Sequence, residues 1–315
     1  MRKPIILIAL LLSVYLFANR LNTLAASNHT VQVSFIDVGQ GDAVLIEDSS
    51  GFNILLDGGR SSAGPTVVAY LHQKEIDIID VIIASHAHAD HIGGLISVLE
   101  DPDILVQEVL YNGYPYDSIT WEIFSTKVAD QGITMTAAQY PQVYDWGSTT
   151  AFILNPDPDL MEVDQNQSSV VVLLVHESNR FLFSGDIDLT AEATVVARGT
   201  PLAAEILKVA HHGSRFSSGE DSLAEISPLE AVIQVGANPY GHPAPETLER
   251  LEKAAARIWR NDVYGTIVVK SDGMSFTIYH LGKNPIYFPI VFVNEDSGLE
   301  LTHTSTPVPS LTTTP

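Results

Sequence analysis

From Val31 to Tyr279 short apolar runs alternate with turn residues, and most runs have the length and two-residue period of strands. Val31 to Ile36 alternates, Asp37 to Asp42 turns, and Ala43 to Ile46 returns. Asn53 to Asp57 predicts a third strand ending in Gly58-Gly59, and Ile79 to Ala84 a buried one. Val170 to Val175 and Arg180 to Phe183 flank the turn Glu177-Ser-Asn179, which predicts a hairpin. Further strands are expected at Ile206 to Ala210, Ala231 to Val235, Thr266 to Lys270 and Ser275 to Tyr279. The helical period fits Thr66 to Lys74, Ile92 to Leu99 and Pro245 to about Ile258. Residues 101–160 read as mixed strand and loop without a clear order. Strands first, then helices between later strands, then strands again point to two sheets packed face to face with helices outside.

The two ends read differently. Arg2 and Lys3 precede the apolar run Ile5 to Ala18, which suits a secretory signal better than a membrane span. Leu24 spoils the small-residue cleavage pattern before Ala25-Ala26, so an uncleaved N-terminal anchor in contact with the membrane stays open beside a cleaved signal. Either places the body outside the cytoplasm. The expected division is a signal or anchor over 1–26, one domain over 27–293, and a Ser/Thr/Pro-rich tail over 294–315.

Charge narrows the partners. The chain carries 16 basic and 38 acidic side chains; residues 1–26 hold three bases (Arg2, Lys3, Arg20) and no acids, so the remainder stands at 13 − 38 = −25. Such a surface disfavours non-specific nucleic-acid binding, which comes from Lys and Arg displacing counterions. With no cysteine there is neither a disulfide framework nor a thiolate metal site, so any metal must bind through imidazole or oxygen. No protein partner is evident.

Six of the eleven histidines fall in three clusters, each following a strand. In Ser85-His86-Ala-His88-Ala-Asp90-His91-Ile-Gly-Gly94, His86 and His88 face the same way on extended backbone, while Asp90 and His91 begin the next helix and point elsewhere. That pattern suits two neighbouring ions. Asp186, after Phe183-Ser-Gly, could bridge them; His211-His212 and His242 follow later strands. His29, His72, His176, His280 and His303 read as ordinary surface or packing residues.

In this order the motifs resemble the metallo-β-lactamase superfamily. More narrowly, Phe35-Ile-Asp-Val-Gly-Gln-Gly-Asp42, Asn166-Gln-Ser-Ser169, Ser184-Gly-Asp186, His211-His-Gly-Ser214 and Asn238-Pro-Tyr-Gly-His-Pro243 resemble the hydrolase domain of ComEC-type DNA-uptake proteins over about residues 31–282. The multi-spanning channel of those proteins is absent, which suggests a stand-alone exported relative. The resemblance implies an αββα sandwich of two mixed β-sheets with helices on the outer faces. It implies two divalent ions, Zn²⁺ or Mn²⁺: His86 and His88 on one, Asp90 and His91 on the other, Asp186 bridging, and His211 or His212 completing the second site. His242 is an alternative ligand or a substrate contact.

His176, the one histidine between residues 92 and 185, belongs at the far edge of its hairpin, roughly 20 Å away at about 3.3 Å per residue. Asn166, Ser168 and Ser169 stand on the correct edge instead, so the first ion should be held more weakly, with a preference for manganese. The implied activity is hydrolysis by a metal-bound hydroxide oriented by the catalytic residue Asp90, with His242 as a second catalytic residue and Asn166, Ser169, Ser214 and Tyr240 binding substrate. Lys208, inside a strand, is not expected to face the site. DNA or another phosphodiester is the leading substrate; small or cell-wall phosphodiesters, lactones, or a non-catalytic metal-stabilised surface protein are the alternatives.

Overall fold

The structure, a computed structural model, describes residues 29–157, 164–282 and 290–292. The expected signal or anchor and the Ser/Thr/Pro-rich tail lie outside these residues. Among the described residues no helix is long and apolar enough to cross a membrane.

Two sheets face each other. The first holds β1 (Val31–Phe35), β2 (Val44–Asp48), β3 (Asn53–Leu56), β4 (Ile78–Ala84), β5 (Leu105–Tyr111), β6 (Thr134–Ala137), β14 (Ile267–Ser271), β15 (Phe276–His280) and β16 (Ile290–Phe292). Their order is β16-β15-β14-β1-β2-β3-β4-β5-β6. The second holds β7 (Val143–Trp146), β8 (Thr149–Asn155), β9 (Val171–His176), β10 (Asn179–Phe183), β11 (Ile206–Lys208), β12 (Glu230–Ile233) and β13 (Arg257–Arg260), ordered β13-β12-β11-β10-β9-β8-β7. Both sheets are mixed: β3 to β6 run parallel, as do β10 to β13, and the other pairs are antiparallel.

Strand alternation builds three apolar layers. Ile54, Leu56, Val172, Leu174, Phe181 and Phe183 point between the sheets. Their neighbours Leu55, Leu173 and Leu182 point outward. Leu55 is covered by helices Gly64–Gln73, Leu95–Glu100 and Ile119–Asp130, through Leu71, Val98 and Phe124. Leu173 and Leu182 are covered by helices Leu189–Ala197, Glu220–Ile226 and Pro245–Lys253, through Val195, Leu223 and Leu251. This is the αββα arrangement that the resemblance implied.

Two expectations change. The helix from Pro245 stops at Lys253, because Ile258 and Trp259 pair in parallel with Ala231 and Val232, and this pairing overrides the helix preference of the Ala254 to Ala256 run. The unordered stretch resolves into β5, a helix capped by the Ser118 hydroxyl, and strands β6 to β8. Parallel strands send all their carboxyl ends to one edge, where open α/β sheets bind ligands. Here the loops after β3, β4, β5, β10, β11 and β12 all open on that edge, as does the one after β1, which runs in the direction of β3.

Candidate metal centre

Each strand end delivers part of one polar cluster. β4 leads into Ser85 and His86, and β10 leads through Ser184-Gly185 to Asp186. Gly185 has φ +51°, and a side chain there would strike Ser169, so the turn needs glycine. Ser169 in turn accepts a hydrogen bond from the Asp186 amide at 3.1 Å, fixing the carboxylate. His91 Nε2 lies 3.1 Å from Asp186 Oδ2, and His212 Nε2 lies 3.4 Å from the same oxygen. His86 Nε2 is 3.0 Å from His88 Nδ1, and His212 Nε2 is 3.8 Å from Asp90. Ligand-type atoms come within 4.8 Å of one another in the sets His86, His91 and Asp186; Asp90, His91 and His212; and Asp42, Asp186 and His212.

The outward nitrogens of three imidazoles are anchored. His91 Nδ1 lies 2.8 Å from Asp57, His212 Nδ1 lies 3.0 Å from the Gln234 carbonyl, and His86 Nδ1 lies 3.1 Å from the Ser85 hydroxyl. Each inward Nε2 therefore faces the cluster, the orientation that a hydrogen bond on the other ring nitrogen gives a metal-binding histidine. His212 is buried and directed inward. His211, with φ +50°, is less buried, and its Nε2 stands 3.9 Å from Asp186.

Charge in the cluster is partly compensated. Burial works against protonating His91, yet Asp186 and Asp57 outweigh it and hold its pKa well above the usual value. Burial likewise opposes protonation of His212, which Asp186 and Asp42 raise. Burial opposes ionisation of Asp186, yet His212, His91 and Lys208 hold it well below the ordinary carboxylate range. Burial pushes His86 and His88 down, with His91 adding to the effect. His242 falls to about 4, through burial and then the neighbouring His211.

Lys208 corrects the sequence reading. Ile206 points between the sheets and Leu207 outward, so alternation turns Lys208 inward at the end of β11. Its fully buried ammonium pairs with Asp42, donates to the Gly185 carbonyl at 2.9 Å and lies 3.7 Å from Asp186. Asp42 and Asp57 were likewise not singled out as site residues. Both are completely buried and both touch ligand-type histidines.

The geometry fits a metal. Asp186 Oδ1 and His212 Nε2 are buried without hydrogen-bond partners, a costly condition that a cation between them would relieve. The donors are imidazole nitrogen and carboxylate oxygen, a set suited to zinc or manganese. Residues 36–237 match the sequence profile described as the metallo-beta-lactamase superfamily. The chain belongs to that superfamily.

Relatives sharpen the placement. ComE operon protein 3 of Bacillus subtilis is 26% identical over 255 residues, covering 75% of this chain and 32% of that protein. Competence protein ComA of Neisseria gonorrhoeae is 28% identical, covering 77% and 33%. Recombination protein 2 of Haemophilus influenzae is 30% identical, covering 77% and 29%. The match spans about a third of the length of each, so the homology to ComEC-type proteins is distant and partial.

The remaining site positions divide by exposure. Ser169 and Ser214 are buried: Ser169 supports Asp186, and the Ser214 hydroxyl accepts from the Phe216 amide at 3.3 Å. Both are closed to solvent, so neither is open to the substrate contact expected of it. Asn166 is half-buried on the loop that the Ala87 amide grips through Gln165 at 3.1 Å. Tyr240 and His242 stand at the mouth, with ring centroids 5.7 Å apart. His176 is at the far edge, 2.7 Å from Ser271.

Proposed function

We propose that this chain is an exported metal-dependent hydrolase of phosphodiesters, with nucleic acid as its first substrate. The observation carrying the reading is Asp186, a buried carboxylate with one oxygen against His91 and His212 and the other lacking a hydrogen-bond partner. His86 and His88 would hold one divalent ion, Asp90, His91 and His212 a second, and Asp186 would be shared. Bound there, the ions acidify water and neutralise charge developing on phosphoryl oxygens.

The chain's own groups supply the rest. Asp57 and Gln234 keep His91 and His212 turned toward Asp186. Asp90, more open to solvent than Asp186, is placed to orient an attacking water and take its proton. His242, whose pKa burial and His211 lower to about 4, is neutral at pH 7 with no imidazolium proton to give, and so serves as a hydrogen-bonding contact to substrate. Similarity to a protein named for recombination and another named for competence supports nucleic acid as the substrate. The charge of −25 supports a second reading, a small or cell-wall phosphodiester with fewer phosphates.

The test is cleavage of end-labelled DNA and of a chromogenic phosphodiester with Mn²⁺ or Zn²⁺, beside Asp186→Ala, with bound metal counted in both proteins. Metal-dependent cleavage that is lost in the folded variant is expected. An ion-loaded wild type that hydrolyses neither substrate overturns the reading, and cleavage of the small ester alone selects the second.

A further inference from the structure

Three aromatic side chains are exposed among the described residues: Tyr116 at 40%, Phe216 at 67% and Tyr240 at 62%. All three lie on loops of the metal centre. Tyr116 follows β5, Phe216 stands four residues after His212, and Tyr240 two before His242. The two tyrosines end one unbroken arc of rings. Its centroid steps run Tyr116 to His88 (5.3 Å), His88 to His86 (4.7 Å), His86 to His91 (4.1 Å) and His91 to His212 (5.3 Å). They continue to His211 (6.2 Å), His242 (5.6 Å) and Tyr240 (5.7 Å). The most exposed aromatic surface among the described residues is thus gathered at one mouth, which marks a binding surface.

Charge at the same mouth points away from phosphate neutralisation. The loops that build it (37–43, 57–63, 85–94, 112–118, 164–169, 184–188, 209–219 and 234–244) contain two basic residues, Arg60 and Arg215. Arg215 lies 3.4 Å from Glu246. The same loops hold eight aspartates: Asp37, Asp42, Asp57, Asp90, Asp117, Asp164, Asp186 and Asp188. A groove that tracks a polyanion needs a row of cations, which these loops lack. Stacking on aromatic faces needs none, and it works only on bases that are not already stacked in a duplex.

We propose that Tyr116, Phe216 and Tyr240 form a stacking rim that seats unpaired bases on either side of the scissile phosphodiester and sets the preference for single strands. This rests on the phosphodiester reading above. Tyr116 and Tyr240 hold the flanking bases at opposite ends of the ring arc, and Phe216, four residues after His212 on the same loop, adds a third exposed face. Binding energy then comes from the bases, and the sugar-phosphate chain contributes little.

The test compares kcat and KM of the full chain, with Mn²⁺ added, on three 12-nucleotide probes: a mixed-sequence single strand, the same sequence as duplex, and an abasic strand. The ordinary single strand is expected to show a KM at least about tenfold below the abasic one. Tyr116→Leu, Phe216→Leu or Tyr240→Leu should raise KM by about fivefold to a hundredfold with little change in kcat, and Tyr116→Phe, Phe216→Tyr or Tyr240→Phe should restore it. Between 50 and 200 mM salt KM should change less than about sevenfold, the response of one or two phosphate contacts on a single strand. Equal KM for ordinary and abasic strands, or leucine variants that behave as wild type, would overturn the rim and leave a nuclease standing. A protein that cleaves no oligonucleotide overturns the nuclease reading and the rim with it.

Discussion

His91 and His176 are both completely buried, at opposite edges of the same sandwich, yet their surroundings differ in kind. His176 meets the neutral hydroxyl of Ser271, and burial pushes its pKa down. Asp48, on that same far edge, accepts from the Ser50 amide and from the amide and hydroxyl of Ser148, all neutral donors. His91 instead stands between the carboxylates Asp57 and Asp186, with Lys208 and His212 close behind. Burial therefore does not distinguish a working histidine from a structural one. Partner charge does: His176 and Asp48 at the far edge are held by neutral hydroxyls and amides, whereas the site edge gathers opposed charges around Asp186, whose Oδ1 has no hydrogen-bond partner.

The strongest way to break this contrast is Asp186→Asn. Metal affinity should fall at least about 100-fold, with fewer ions retained per chain by elemental analysis after dialysis. Unchanged metal content would mean that the shared carboxylate is not a ligand.

Next comes Lys208→Met, which leaves Asp42 buried without its cation. Urea unfolding of the metal-free protein should show a loss of about 3–5 kcal/mol, with added ions restoring part of it. An equal loss with and without ions would reduce Lys208 to packing.

Glu192 sharpens the comparison within the site edge. It accepts from the Ser218 and Gly219 amides much as Asp48 does, but burial dominates and its pKa rises to about 7 from 4.5. Between those values the folded state binds more protons than the unfolded state, so stability falls as pH rises from about 4.5 to about 7. In paired thermal melts across that range wild type should lose stability relative to Glu192→Gln, on the order of 3 kcal/mol. Parallel profiles would remove burial of that charge as a cost.

The smallest effect belongs to the far edge. Ser271→Ala, which removes the hydroxyl shared by His176 and Asn179, should cost about 1–3 kcal/mol in denaturant and leave metal content untouched. A loss of metal on that substitution would collapse the distinction between the edges.

Much of the fold was legible because strands announce themselves by alternation. Phe181, Leu182 and Phe183 face in, out and in as their spacing implies. The His-x-His-x-Asp-His run was legible because its residues are adjacent in the chain. Asp42, Asp57 and Lys208 were harder, since each is a lone charge at a strand end whose partners come from distant segments. The signal for Lys208 was present all the same, because alternation from Ile206 already turns it inward. The helices Leu189–Ala197 and Glu220–Ile226 and the strand at Arg257 leave little mark in the sequence, because short segments there take their form from packing on the second sheet.

The close approach of backbones beneath the cluster has a consequence for how such a protein can change. The Gly58 amide donates to the His91 carbonyl at 2.7 Å, the Asp42 amide to the Asp90 carbonyl at 3.2 Å, and the Gly94 amide to the Gly59 carbonyl at 2.8 Å. A side chain on Gly94 would collide with the Gly58 carbonyl, and one on Gly41 with that of Asp90. That half of the centre is frozen against almost any substitution. Tyr116, Phe216 and Tyr240 point into solvent outside this weave, so a mutant library aimed at new specificity belongs at those three positions. Change is thus barred at the glycines packed beneath the cluster and open at the exposed rings of its mouth.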